Sequence, residues 1–185
     1  MAALVASSPH RIFLTGEPGC GKTTVVKKTA ELLVASGFKI GGMTSKELRD
    51  KGSRKGFCVE DLNTHEEGIL AEVGLTSGPR VGRYVVNLRD LNAIGVGAIQ
   101  RSIETAEVVL VDEIGPMELH SDLFIESVRA ALSSSKHVLA TIHKRTKHPF
   151  VMAVKSNPEF TIFEVTVENR EELPVHIVEK IRRGK

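Results

Sequence analysis

Residues Gly16, Glu17, Pro18, Gly19, Cys20, Gly21, Lys22 and Thr23 follow the spacing G-x-x-x-x-G-K-[ST]. Glycines at these intervals let a loop curl so that several backbone N–H groups converge on one polyphosphate. Lys22 then supplies a point charge for the β- and γ-phosphates, and the Thr23 hydroxyl is placed to ligate Mg²⁺. The flanking sequence has the order this chemistry needs. Arg11 to Thr15 is a short apolar run of strand type, and Val25, Val26, Thr29, Leu32 and Leu33 recur at helical spacing after the loop. A helix starting there presents its N-terminus, itself an anion site, to the same phosphates. The expected ligand is a nucleoside triphosphate.

A triphosphate site also needs a carboxylate for the metal, at the end of a buried strand. Val108, Val109, Leu110 and Val111 form a pure β-type run that leads into Asp112, Glu113, Ile114 and Gly115. Asp112 is typed to hold Mg²⁺ through water, opposite Thr23. Glu113, one step beyond, is typed to orient and deprotonate a water attacking the γ-phosphate, which favours hydrolysis over transfer. Lys22 and Glu113 are therefore the expected catalytic pair. Glu118 reads equally as a second water-positioning acid or a helix-initiating surface residue. Thr141, His143, Lys144 and Arg145 sit at the end of the next apolar run, where side chains face the γ-phosphate in folds that bind ligands beyond the carboxyl ends of the strands, and a surface turn reads the same residues equally well. His143 and His148 lack a third ligand at metal-site spacing. Tyr84 reads as a packed residue or a base-stacking one, and Arg80 and Arg83 as phosphate contacts or arginine-finger groups.

These segments together resemble the small P-loop nucleoside-triphosphatase family that includes the cancer-related nucleoside-triphosphatase and its thermophile relatives. The resemblance rests on Phe13-Leu14-Thr15-Gly16, Arg80-Val81-Gly82 with Tyr84-Val85-Val86, Val111 to Gly115 with Met117-Glu118-Leu119, and Val165 to Arg170. It covers nearly the whole chain beyond the first ten residues. It implies a RecA-like fold and slow Mg²⁺-dependent hydrolysis of ATP, GTP, CTP, UTP and TTP to diphosphate and phosphate. It also implies two nucleotide-binding stretches, Gly16 to Thr23 and Val108 to Gly115, with Asn169 and Arg170 near the base.

The elements that must position these groups alternate along the chain. Strands are expected over 39–44, 55–61, 83–87, 107–111, 137–142 and 160–167, and helices over 88–104, from Ser121, and over 168–183. The fold class is thus α/β, a three-layer sandwich with a mostly parallel central sheet. A single domain is expected over 11–185, after an N-terminal extension of ten residues. The 185 residues are 41% apolar and 26% charged, ordinary globular proportions, and the net charge of +2 does not advertise a nucleic-acid partner. Lys46, Arg49, Lys51, Arg54 and Lys55 cluster in a Gly- and Ser-containing segment that reads as a mobile loop, and Lys180, Arg182, Arg183 and Lys185 end the chain. Cys20 and Cys58 form no disulfide framework, no run is long enough to span a membrane, and a monomeric cytoplasmic protein is expected. A nucleoside or nucleotide kinase and a nucleic-acid-linked regulatory ATPase stand as the alternatives to a triphosphatase.

Overall fold

The structure is a computed structural model that describes residues 8–183. Residues 1–7 of the expected extension and Lys185 of the basic tail lie outside them. Among the described residues nine strands form one sheet, in the order β5-β6-β4-β3-β2-β7-β8-β1-β9. The strands are β1 (Arg11–Thr15), β2 (Ile40–Asp50), β3 (Ser53–Asp61), β4 (Glu67–Glu72), β5 (Arg80–Val81), β6 (Tyr84–Val86), β7 (Val108–Ile114), β8 (His137–Ile142) and β9 (Thr161–Glu164). From β2 to β9 in that order neighbours run parallel, and from β2 outward to β5 they run antiparallel. The sheet is therefore mixed, with a parallel half of RecA-like kind and an antiparallel half grafted onto its β2 edge.

Strand alternation builds the two hydrophobic layers. Ile12, Leu14, Val108, Leu110 and Leu139 face α1 (Lys22–Ala35) and α6 (Leu173–Arg182), meeting Val25, Val26, Leu33, Ile177 and Ile181. Phe13, Val109, Val111, Val138 and Ala140 face the other way. They meet Ile99 of α3 (Gly97–Thr105), Phe124 and Val128 of α4 (Asp122–Ser133), and Val151 of α5 (Pro149–Ser156). Strands buried on both faces have no room for alternating polarity, which is why β7 and β8 read as unbroken apolar runs.

Several expectations shift. The helix over 88–104 is a composite: α2 (Leu88–Asp90), a π-helical stretch (Leu91–Val96) and α3. Its Gly95 is a packing device, because a Cβ there would come within 3.2 Å of Met43 Sδ and 3.3 Å of Val59 Cγ2. The strand expected over 39–44 continues to Asp50 and pairs with β3 from Met43 onward, so the basic segment is a β-hairpin and not a mobile loop. Its charges are tied down within the hairpin: Arg49 and Arg54 to Glu47, and Lys55 to Asp50. β4 and α5 have no counterpart in the sequence reading. The last helix begins later than Glu168, with Pro174 in its first turn, and Lys180 and Arg182 occupy its last turn, where cations complement the dipole. No helix among the described residues is long and apolar enough to cross a membrane.

β2 and β7 approach most closely at Gly42, whose φ is +129° and where an added Cβ would lie 1.9 Å from the Leu110 carbonyl oxygen. Gly42→Ala should therefore cost on the order of 3 kcal/mol or more, read as a lowered urea midpoint with an unchanged m-value.

Candidate active site

The glycine loop leaves β1 and enters α1 through backbone that only glycine adopts cheaply. Gly19 has φ +78° and Gly21, the N-cap of α1, has φ +110°. No side chain caps α1 and no acidic residue sits in its first turn, so its leading N–H groups are left for an anion. Lys22 reaches back over the loop, its Nζ donating to the carbonyls of Gly16 at 3.1 Å and Glu17 at 3.3 Å. An ammonium resting on carbonyl oxygens along the loop is poised to exchange them for phosphate oxygens.

Parallel register places the acidic pair opposite this loop. Thr44 of β2 pairs with Asp112, and the β7–β8 ladder breaks between Val111 and Ile114, freeing the two carboxylates from regular pairing. Asp112 is 2% exposed. Burial pushes its carboxyl pKa up, opposed by hydrogen bonds from Thr141 and Thr23 and by the charge of Lys22. The Thr141 hydroxyl donates to Asp112 Oδ1 at 2.6 Å. Glu113 is half-buried, and its pKa is also raised, by burial and then by Asp112, with Lys22 opposing. A raised carboxylate is a stronger base, which suits the proton-accepting role expected from the sequence.

The loop and the acidic pair share one cleft of about 630 Å³ at the carboxyl ends of the parallel strands. Gly16, Pro18, Gly19, Gly21, Lys22 and Thr23 line one side of it, and Asp112, Glu113, Gly115 and Glu118 line the floor. Val108, Val109, Leu110, Val111 and Ile114 do not reach it, because their side chains lie in the two hydrophobic layers and serve to carry the carboxylates. Cys20 packs against the α1 layer, beside Gly16.

Glu118 proves to be no surface residue. It is 4% exposed and accepts from the Gly115 backbone N–H at 3.1 Å, and burial lifts its pKa to about 8. It is thus a neutral acid that holds the turn after β7. His143, at the end of β8, lines the cleft, and burial and Lys22 hold its pKa below the ordinary value. Its Nδ1 is buried without a hydrogen-bond partner. Lys144 and Arg145 also line the cleft, yet both are tied to Glu17 of the glycine loop, at 3.1 and 2.9 Å.

Asn169 is a turn-former. Its side chain accepts from Thr166 N at 2.9 Å and donates to the Glu164 carbonyl at 2.8 Å. That turn lays the Arg170 stem against the loop, where a Cβ on Gly21 would lie 3.2 Å from Arg170 Cδ. Tyr84 packs edge-on against Phe57, with ring centroids 5.3 Å apart, and the Arg83 guanidinium lies 5.2 Å over its ring. Neither Tyr84, Arg80 nor Arg83 lines the cleft. Phe57, Leu70, Val81 and Met117 also line it, and the sequence reading gave none of them a place in the site. Val81 and Met117 stood only among the residues that carry the family resemblance, Phe57 lay within an expected strand, and Leu70 lay in no expected element.

Titration of Glu118 yields a test. Its folded-state pKa near 8 lies above the ordinary value of 4.5, so the folded protein holds a proton that the unfolded chain releases as pH rises from about 4.5 to 8. Stability attributable to this group is therefore full below that window and falls across it. Glu118→Gln keeps the Gly115 hydrogen bond without the titration. It should melt higher than wild type at pH 8, with the difference vanishing near pH 4.5.

Comparison with known proteins agrees with this geometry. Residues 11–178 match the NTPase family. The nucleoside-triphosphatase THEP1 of Thermofilum pendens is 52% identical over 91% of this chain and 93% of its own length. The THEP1 of Methanosarcina acetivorans is 46% identical over 94% and 97%. Among solved structures, THEP1 from the hyperthermophile Aquifex aeolicus superposes with a TM-score of 0.82 at 32% identity, covering 94% of this chain and 99% of that one. A human cancer-related nucleoside triphosphatase superposes at 0.81 with 36% identity, covering 95% and 99%. Matched by the family model over residues 11–178 and by these relatives over more than nine-tenths of its length, the chain belongs to the NTPase family of THEP1 proteins.

Proposed function

We propose that the protein hydrolyses nucleoside triphosphates, among them ATP, GTP, CTP, UTP and TTP, to the diphosphate and phosphate, in a Mg²⁺-dependent reaction. The observation that carries this reading is Glu113, a half-buried carboxylate of raised pKa, sharing one cleft with Lys22, Thr23 and Asp112.

The triphosphate lies along the loop, with the N–H groups at the start of α1 and Lys22 on its β- and γ-phosphates. Thr23 and Asp112 fit a small hard cation. They are a hydroxyl and a carboxylate lining the same cleft, and two protein oxygens suit an ion that keeps most of its waters. When bound, Mg²⁺ supplies charge neutralisation at the β- and γ-oxygens. Thr141 fixes the Asp112 carboxylate from behind. Glu113 takes a proton from water as the water oxygen bonds to the γ-phosphorus, and the bond to the β–γ bridging oxygen breaks, its electrons leaving with the diphosphate. The neutral His143 Nδ1, without a protein partner, is available to the γ-phosphate or its water.

Broad base tolerance fits the surroundings of the loop. On the Gly21 side the nearest side chain is Arg170, whose flexible stem and planar guanidinium can lie against the face of any base. The near-balanced charge and the internal pairing of the basic hairpin support a protein that acts on free nucleotides without a nucleic-acid partner, and the reading is completed by a monomer in the cytoplasm.

Phosphate release with and without Mg²⁺ tests the reading. Glu113→Gln should lose turnover by roughly 10²–10⁴-fold while still binding nucleotide, and Lys22→Ala should lose both. Wild-type turnover by Glu113→Gln would overturn the assignment of the base.

A further inference from the structure

The cleft reaches beyond the glycine loop and the acidic pair to Ser45, Lys46, Glu47, Arg54 and Phe57 of the β2–β3 hairpin. Register shows why: β2 pairs with β7 only as far as Thr44 opposite Asp112, then continues through Asp50 paired with β3 alone. Six further residues at strand rise carry the hairpin roughly 20 Å beyond the edge where the carboxylates sit. Across the sheet the order is β2, β7, β8, β1, β9. The glycine loop follows β1, so a triphosphate directed at Asp112 and Glu113 points its γ end toward the hairpin. Its base end points toward β9, where Arg170 meets Gly21. The hairpin side is therefore a separate compartment that the nucleotide's own base does not fill.

That compartment has a particular chemistry. Its wall carries two planar groups together, the Phe57 ring and the Arg54 guanidinium stacked 5.6 Å over it, and Val81 and Met117 add apolar surface. Ser45 and Glu47 supply hydrogen-bonding oxygens. The cations there are already neutralised, Arg54 by Glu47 and Lys46 by Glu60 and Glu67. A strongly anionic ligand would have to displace these carboxylates, whereas a neutral flat one would not. Aromatic rings and arginine planes are the surfaces on which nucleobases stack, and carboxylates suit sugar hydroxyls and exocyclic amines.

We propose that the hairpin side of the cleft is a binding site for a second, uncharged ligand of nucleoside type, stacked on Phe57 and Arg54 and lying against the γ-phosphate end of the bound triphosphate. This rests on the triphosphatase reading, because it needs a nucleotide held in the glycine loop. An occupant there stands where the attacking water must enter, so it slows phosphate release without excluding the triphosphate.

The test measures phosphate release from Mg·ATP in the presence of adenosine, guanosine, cytidine, uridine or thymidine, up to millimolar concentration. At least one nucleoside should inhibit saturably, and raising ATP should not relieve it. Binding of that nucleoside to enzyme saturated with Mg·ADP should be detectable by calorimetry. It should weaken roughly tenfold in Phe57→Leu, a variant that keeps an apolar side chain but removes the plane. Absence of inhibition by all five, inhibition fully relieved by ATP, or equal inhibition of Phe57→Leu would each overturn the second site. The reactions without nucleoside report hydrolysis separately, so loss of the second site leaves the triphosphatase reading standing.

Discussion

A carboxylate that must be buried beside a polyphosphate is the constraint around which this fold is arranged. Asp112 is 2% exposed, and burial alone drives it toward the protonated form, in which it is a poor partner for a cation. The surrounding structure opposes this from two elements, through Thr141 of β8 and through Thr23 and Lys22 at the start of α1. Each depends on parallel register, since β7 must lie between β2 and β8 and stop in step with both. The unbroken apolar strands, the two helix layers and the close β2–β7 approach at Gly42 serve that placement.

The glycine loop is the second half of the same electrostatic arrangement. It presents positive backbone dipoles and one ammonium toward two carboxylates, and the cleft between them suits a metal–polyphosphate pair. Glu17 sits within this loop as an acid, and Lys144 and Arg145 neutralise it. Those cations, expected to meet the γ-phosphate, are instead occupied by the loop itself in this structure. Arg145 and Glu17 are largely exposed, so their pairing is weak and yields readily to a competing anion.

Legibility followed how local the physics was. The loop was legible because phosphate binding demands glycine, lysine and threonine at fixed spacing within one segment. The place of Asp112 and Glu113 at the end of a doubly buried strand was legible because the apolar run Val108 to Val111 leads straight into them. The first arm of the hairpin was not, because Ser45 to Asp50 are polar apart from Leu48 and become a strand only through cross-strand pairing with β3. α5 escaped because it is short and capped by His148, an unusual N-cap, with only Pro149 as a start signal. β4 escaped because only Leu70 and Ala71 in it are buried. Glu118 was ambiguous because burial is a property of the assembled turn, and Asn169 was linked to the base although its bonds hold a turn.

The central claim is that Glu113 activates the attacking water. A crystal structure with Mg²⁺, ADP and a planar fluoride mimic of the transferring phosphoryl group tests it directly. The account expects one water in line with the mimic and the bridging oxygen, within about 2.6–3.2 Å of the Glu113 carboxylate. A water held in line by other groups, with Glu113 turned out of the cleft, would contradict it.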